Sequence, residues 1–459
     1  MRTEKDSLGT LELPDQAYYG IQTLRAVQNY PISGLRPHPT FIRAYALLKK
    51  ACAAANAKAG ALKPDLSKLI QDVCTEIIDG GLRDQFVVDV FQAGAGTSTN
   101  MNVNEVVANR ALEKSGEKRG EFSKVSPNDH VNMSQSTNDT YPTAMRLSAL
   151  LMMQERMFPA IEVLRKSFEA KAIEFDDAVK SGRTHLQDAV PITLGQEFGA
   201  WASMMTRHSK RIQGAVHDVS FLGIGGSAAG SGLNTPPGYR TYVVEELRKL
   251  TGLDVKESVD LFEAMQSLAP FVHLMSSLKN LALDIIKISS DLRLMCSGPM
   301  TGFAEITLPA VQPGSSIMPG KVNPSILEMV SQVAMQVVGA ETTVSYCSQG
   351  GQLELNVMMP VVQFNISFTI EIFSNTLEVM ASKCINGIVC DRERMQHYAE
   401  TSGSLVTALA PELGYLVAAE IGKESLKYRK SIRSIVLERK LMGEERLNEI
   451  LDIVKMAKG

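Results

Sequence analysis

The chain has 459 residues, 47 of them basic and 50 acidic, for a formal net charge of −3, and a nucleic-acid partner, which would need a basic excess or stripe, is not expected. Six scattered cysteines make no disulfide framework, the charged start Met1-Arg2-Thr3-Glu4-Lys5-Asp6 has no apolar signal core, and no apolar run approaches the ~20 residues that cross a bilayer. These features point to a cytoplasmic protein with neither nucleic acid nor membrane as partner, long enough for roughly three domains.

The first region, 1–137, holds two dense polar segments. One is Gly94-Ala95-Gly96-Thr97-Ser98-Thr99-Asn100-Met101-Asn102, and the other runs from Pro127 through His130, Asn132, Ser134 and Gln135 to Ser136-Thr137-Asn138-Asp139. Hydroxyls and amides donate hydrogen bonds to carboxylate oxygens, and glycines let backbone N–H groups come close, so both segments suit a small anion. Ser136-Thr137-Asn138-Asp139 also reads as the cap of the next helix, with its N–H groups aimed at such an anion. Either segment alone is as well explained as a capped turn.

From 138 to 385 the apolar residues recur at helical spacing. Met157, Ile161, Leu164, Phe168, Ala172 and Phe175 form one stripe; Phe198, Trp201, Met205 and Ile212 a second; Met275, Leu278, Ala282 and Ile285 a third. Such stripes mark long helices that bury one face, here a central bundle, with a kink expected at Pro159. Two more polar segments interrupt this pattern. Gly182-Arg183-Thr184-His185-Leu186-Gln187-Asp188 is one. The other begins Pro313-Gly314-Ser315-Ser316, turns at Pro319-Gly320 and ends in Lys321, Asn323 and Pro324. A mobile loop followed by a fixed cation and amide suits a reaction that abstracts a proton and stabilises the resulting anion. Gly223 to Gly230 is glycine-rich but lacks the Gly-Lys-Ser/Thr ending of a nucleotide loop.

Asn386-Gly387 before Asp391-Arg392-Glu393-Arg394 marks a joint, after which 386–459 forms a small C-terminal region. Its basic run from Lys423 to Lys440 is interrupted by Leu426, Ile432, Ile435 and Val436, which reads as an amphipathic helix with a solvated face. Cys52, Cys74, Cys296 and Cys347 sit among apolar or small residues and are expected to be buried thiols. Cys384 and Cys390 lack a zinc spacing, so no metal site is expected. His38, His208, His217, His273 and His397 are expected to pack or face solvent, and His130 to act as a structural hydrogen-bonder.

Gly314 to Pro324 resembles the signature loop of the aspartase/fumarase superfamily, whose members eliminate a group from a succinyl skeleton to release fumarate. All four polar segments match that superfamily in order and spacing, and the similarity extends from Arg2 to about Lys440. Within it, Tyr18-Tyr19-Gly20-Ile21-Gln22-Thr23, Gly94-Ala95-Gly96-Thr97-Ser98 and Gly351-Gln352-Leu353-Glu354-Leu355-Asn356-Val357-Met358 are similar to the aspartate ammonia-lyases. Class II fumarases tend to Trp-Gly-Ala-Gln-Thr and Gly-Ser-Gly-Thr-Gln at the first two places.

The resemblance implies a mainly α, three-domain fold whose central helices assemble into a homotetramer, each site drawing segments from three subunits. It implies Ser315 as the base that takes a Cβ proton from L-aspartate, and Lys321 and Asn323 as holders of the aci-carboxylate charge. Thr184, His185 and Ser316 would bind substrate, with Glu328 supporting His185. Arg25, Thr97, Ser98, Ser136, Thr137 and Asn138 would hold the α-carboxylate and ammonium. No cofactor is implied. Three departures stand out: Met300 where relatives usually carry Arg, Ala410-Pro411 for Asn-Pro or Asn-Thr, and no longer tail after Gly459. Fumarate hydratase, a lyase adding another amine to fumarate, and a non-catalytic structural protein on the same fold remain as alternatives. The intact Ser315, Lys321, Asn323, Thr184 and His185 argue against the last.

Overall fold

A computed structural model describes residues 1–458, which are mainly α-helical, with strands confined to four two-stranded sheets among the described residues. Two compact units result: Met1–Pro159, Ser209–Ala282 and Met335–Ser374 form the first, and Ala160–His208, Leu283–Ala334 and Asn375–Gly459 the second. The expected long helices are present. Leu194–Val219, Ala269–Met295, Ser325–Ser348 and Met359–Lys383 have 26, 27, 24 and 25 residues. Their stripes are buried as the spacing requires, with Phe198, Met205, Ile212, Met275, Leu278, Ala282 and Ile285 sealed from solvent. No helix among the described residues is long and apolar enough to cross a membrane.

In the first unit the central element is the helix Pro39–Lys58. It starts on His38, whose Nδ1 accepts from the Thr40 N–H at 3.1 Å, and Pro39 occupies a first-turn place where a missing N–H costs nothing. This helix packs on Pro64–Ile78, Thr137–Met152 and Tyr239–Thr251. Phe41, Tyr45 and Tyr141 meet edge to face between them, with ring centroids 5.1 to 6.1 Å apart, the favoured aromatic geometry. Pro159 follows a π-helical turn, Met153–Met157, that opens the helix just before the ring. That wider turn accommodates a residue that can neither donate its N–H nor tolerate the preceding carbonyl at normal spacing.

In the second unit Phe168, Phe175, Phe198 and Trp201 form an aromatic cluster. Its short C-terminal helices pack Leu405, Leu409, Ile421, Ile432, Ile435, Val436 and Leu447 together with Val179. The single helix expected over the basic run is instead two, Tyr415–Tyr428 and Ile432–Glu438. Arg429 breaks it with φ +52°, and Ser431 caps the second helix by accepting from the Ser434 N–H. Leu426 faces solvent at 79 % exposure, whereas Ile432, Ile435 and Val436 are buried. Cys296 and Cys347 are half-buried rather than buried. Burial pushes the Cys52, Cys74 and Cys384 thiols up to about 12, so they stay protonated and inert at neutral pH.

Candidate active site

In the first unit, Arg25, Thr97 and Ser98 line one cavity of about 520 Å³, with Lys5, Ser7 and Asn128. Gly96, at φ +81°, lets the Thr97–Lys114 helix begin there, since a Cβ would run into the Tyr141 ring. Arg25 is already paired. Its Nε and Nη2 contact the two Asp6 oxygens at 2.8 and 2.9 Å, which holds the Asp6 carboxyl below its ordinary range. One edge of the guanidinium is thereby anchored, and among the described residues Nη1 makes no hydrogen bond. Glu105 forms the buried wall of the cavity. Burial pushes its pKa up to about 7, against the pull of N–H groups from Gly20, Gln22 and Thr23 and the Thr23 hydroxyl.

Ser136, Thr137 and Asn138 open the helix Thr137–Met152 behind a full capping box with Asp139, as the Ser-x-x-Asp pattern dictates. Asp139 is fully buried, and its Oδ1 accepts from the Ser136 N–H at 2.9 Å. Its Oδ2 accepts from the N–H groups of Gly225 and Ser227, each at 3.0 Å. The glycine-rich turn is thus a clasp on this helix start, and Asn138 Nδ2 closes it by donating to the Ala228 carbonyl at 2.8 Å. Beneath lies Lys49, fully buried, donating to Asn132 Oδ1 at 3.0 Å and Gln135 Oε1 at 2.8 Å. Burial lowers its pKa to about 8. Asn100 Nδ2 joins the same Asn132 oxygen to Thr137 Oγ1, at 3.2 and 2.9 Å. Lys49 and the asparagines therefore tie the Thr97 helix start to the Ser136–Asn138 start.

In the second unit, Thr184 and His185 sit at the tip of the antiparallel hairpin Val179–Thr184/Gln187–Thr193, where Thr184 pairs with Gln187. The two loop residues, His185 and Leu186, have φ +54° and +59°, a left-handed turn usually made by Asn-Gly. Holding a histidine and a leucine there costs on the order of 1 kcal/mol each, strain of the kind found where a side chain must be presented. Both are exposed.

The loop from Gly314 to Asn323 folds back on itself. A Cβ on Gly314 would collide with the Lys321 carbonyl, and Asn323 Nδ2 donates to the Gly314 carbonyl. Ser315 Oγ accepts from the N–H groups of Ile317 at 3.3 Å and Met318 at 3.0 Å. Lys321 is exposed and among the described residues pairs with no carboxylate, and Ser316 is exposed beside it. Glu328, in the first turn of Ser325–Ser348, lies 4.0 Å from Arg293. Among the described residues no hydrogen bond joins Glu328 to His185 within the chain, so that expected pairing is not made in the protomer.

A family described as Lyase matches residues 9–339, and one described as Fumarase C C-terminus matches 405–458. The aspartate ammonia-lyase of Bacillus sp. is 45 % identical over 456 residues, 99 % of this chain and 97 % of that protein. The Escherichia coli K12 enzyme of the same name is 43 % identical, covering 99 % and 95 %. Among solved structures, the fumarate lyase:delta crystallin of Brucella melitensis bound to cobalt aligns with TM-score 0.96 at 45 % identity, covering 99 % of each chain. A class II fumarase from Schistosoma mansoni aligns with TM-score 0.97 at 34 % identity, again over 99 % of each.

The chain belongs to the aspartase/fumarase superfamily.

Asp139, Lys49 and Glu105 are additions that reading the superfamily loop alone misses. Asp139 had a local signal, the capping box three residues after Ser136. Lys49 stands in the otherwise apolar run Ala46-Leu47-Leu48-Lys49-Lys50-Ala51, a cation next to a second lysine that gives no local sign of its burial. Glu105 sits eight residues into a helix rich in asparagine and valine and carries no local signal. His130 acts as expected, its Nδ1 accepting from the Ser126 N–H at 2.9 Å. His208 is buried against Asp284 at 2.7 Å, and His273 pairs with Asp218 at 2.7 Å on the surface.

Proposed function

We propose that this superfamily member is an aspartate ammonia-lyase, removing ammonia reversibly from L-aspartate to give fumarate. The observation that carries the elimination chemistry is Ser315, whose Oγ accepts two backbone N–H groups, in the same loop as Lys321, which among the described residues pairs with no carboxylate. Those donors stabilise an alkoxide, which a serine must become to act as a base. Ser315 then takes the Cβ proton, and the electron pair moves into the β-carboxylate as an aci-carboxylate held by Lys321, Asn323 and Ser316. Thr184 and His185 bind the same carboxylate, and Glu328 from another subunit would support His185. The pair returns to form the Cα–Cβ double bond as the Cα–N bond of the protonated amino group breaks on the opposite face, its electrons leaving with nitrogen as neutral ammonia, which needs no acid. Arg25, Thr97, Ser98, Ser136, Thr137 and Asn138 hold the α-carboxylate and ammonium. Written this way the reaction calls for no cofactor.

The choice of ammonia over water as leaving group rests on the higher identity to aspartate ammonia-lyases than to the class II fumarase. Purified protein is therefore expected to raise fumarate absorbance and release ammonia from L-aspartate, and to leave L-malate unchanged. The reverse substrate pattern would sink this reading and favour the hydratase.

We further propose a homotetramer in which each site draws on three subunits. The exposed hairpin tip, with Leu186 at 67 % exposure, and the exposed loop, with Ile317 at 83 %, are surfaces that another subunit would cover. Mixing Ser315→Ala with His185→Ala under subunit exchange is then expected to restore activity, because hybrid tetramers contain intact sites. If mixed tetramers stay as inactive as either parent, the sharing is wrong. The six free thiols fit a reducing cytoplasm.

A further inference from the structure

Two side chains that carry none of the proposed chemistry converge on the root of the hairpin. Arg183 immediately precedes Thr184 and His185, and its Nη1 donates to Glu305 Oε1 at 2.8 Å. Its guanidinium carbon lies 4.3 Å from the centre of the Phe303 ring, so the segment 303–305 grips Arg183 by stacking and by charge. Glu305 is sealed from solvent at 0 % exposure. Its Oε2 sits 3.0 Å from Lys180 Nζ, an ion-pair contact without hydrogen-bond alignment, and Lys180 also meets Glu197 at 2.9 Å. The Glu305 backbone is pinned as well, its N–H donating to the Met295 carbonyl and its carbonyl accepting from the Asp391 N–H, both at 2.9 Å.

The hairpin needs such a footing. Its register breaks between Ser181 and Arg183, at Gly182, where a Cβ would press on the Val190 carbonyl at 2.8 Å. Pairing beyond the break consists of Arg183 with Asp188 and Thr184 with Gln187, closed by the strained His185–Leu186 turn. A tip with two paired positions beyond an irregularity pivots unless a side chain holds it. Glu305 also leads into the strand Ile306–Thr307, nine residues before Gly314. Lys180 and Glu305 are packed out of water, with Arg183 and Glu197 partly exposed at the edge, and a buried ion pair stabilises less than an apolar pair of the same volume, so its use is better explained by geometry than by stability.

We infer that Glu305, acting through Arg183, is a positioning residue that sets where Thr184 and His185 meet the substrate's β-carboxylate; this rests on the proposed lyase reaction. The β-carboxylate gains its second charge only after proton removal, so displaced donors weaken the transition state more than the bound substrate. Glu305→Gln keeps the volume and a hydrogen-bond acceptor but removes the anion. Its kcat for L-aspartate is expected to fall about 10- to 100-fold, since a misplacement near 1 Å costs about that much, with KM changed less than about threefold. Arg183→Lys, which keeps the charge but loses the planar stack, is expected to fall in between, and it carries the test if Glu305→Gln does not fold. Hydrogen exchange at the amides of 182–188 is expected to quicken in both variants.

A merely structural ion cluster would lower the melting temperature while leaving kcat per folded tetramer and tip exchange at wild-type values, and that result overturns the inference. Should the wild-type chain prove inactive on L-aspartate, the lyase reading fails by itself. Tip exchange then decides the clamp: faster exchange supports it, and unchanged exchange overturns it.

Discussion

Ser315→Ala is expected to lower kcat for L-aspartate by about 10²- to 10⁴-fold, the usual contribution of a positioned base, while KM shifts by less than about threefold. The split follows from where Ser315 acts. In the proposed mechanism its Oγ takes the proton, whereas Lys321, Asn323, the hairpin tip and the residues lining the 520 Å³ cavity of the first unit would supply the substrate affinity. The substitution frees only the N–H groups of Ile317 and Met318, which lie on an exposed loop where water replaces the lost acceptor. Stopped-flow single turnovers with L-aspartate separate binding from chemistry. Near-normal turnover in the alanine variant would remove Ser315 from the role of base. A large rise in KM at constant kcat would recast it as a binding group.

Asp139→Ala is expected to cost about 3 kcal/mol of folding stability, because it strips the acceptor from one buried and two partly buried N–H groups, at about 1–3 kcal/mol for the buried one and less for the others. Those donors belong to Ser136, Gly225 and Ser227, so the same change loosens the start of the helix that presents Ser136, Thr137 and Asn138. KM for L-aspartate is expected to rise at least about tenfold in the folded fraction, with kcat at saturation less affected.

The pH dependence gives a second check on the same residue. Burial raises the Asp139 pKa from 3.8 to about 6, so between those values the folded chain binds more protons here than the unfolded chain. Its contribution to stability is therefore greatest below pH 4, declines as pH rises toward 6 and is level above that. Asp139→Asn should lack that decline. Urea unfolding of both proteins at matched concentration from pH 4 to 8 reads the difference, and parallel curves would show that Asp139 does not titrate in this window. Lys49 acts elsewhere on the scale. Its pKa is lowered to about 8 by burial, so the folded chain binds fewer protons between about 8 and its ordinary value of 10.5, and its contribution rises with pH across that window.

Much of the architecture is local enough to read from residue order. The stripe through Ile161, Leu164 and Phe168 and that through Met275, Leu278 and Ile285 are buried because a helix repeats every 3.6 residues whatever it packs against. Ser136 with Asp139 made a capping box for the same reason: cap and partner are three residues apart. The expectation over Lys423 to Lys440 failed where a local pattern was ambiguous. Apolar spacing continued through Arg429, but the turn there redirects the chain, and Leu426 lies in solvent. Cys296 and Cys347 likewise look apolar in sequence, yet they are only half covered.

The residue order by itself determined the polar segments, the loop with its serine, lysine and asparagine, and the superfamily to which the chain belongs. Those features depend on neighbours within a turn or two. Only the tertiary structure decided which charges are free to act. Arg25 is half engaged by Asp6, Lys49 serves Asn132 from 83 residues away, and Arg183 reaches Glu305 across 122 residues. Such partners have no period or spacing to betray them, because burial makes each charge seek whichever opposite dipole the packed chain brings near. At the loop this leaves Ser315 with two backbone donors and, among the described residues, Lys321 with no carboxylate partner, an arrangement that a string of residue names could suggest and only the folded chain could display.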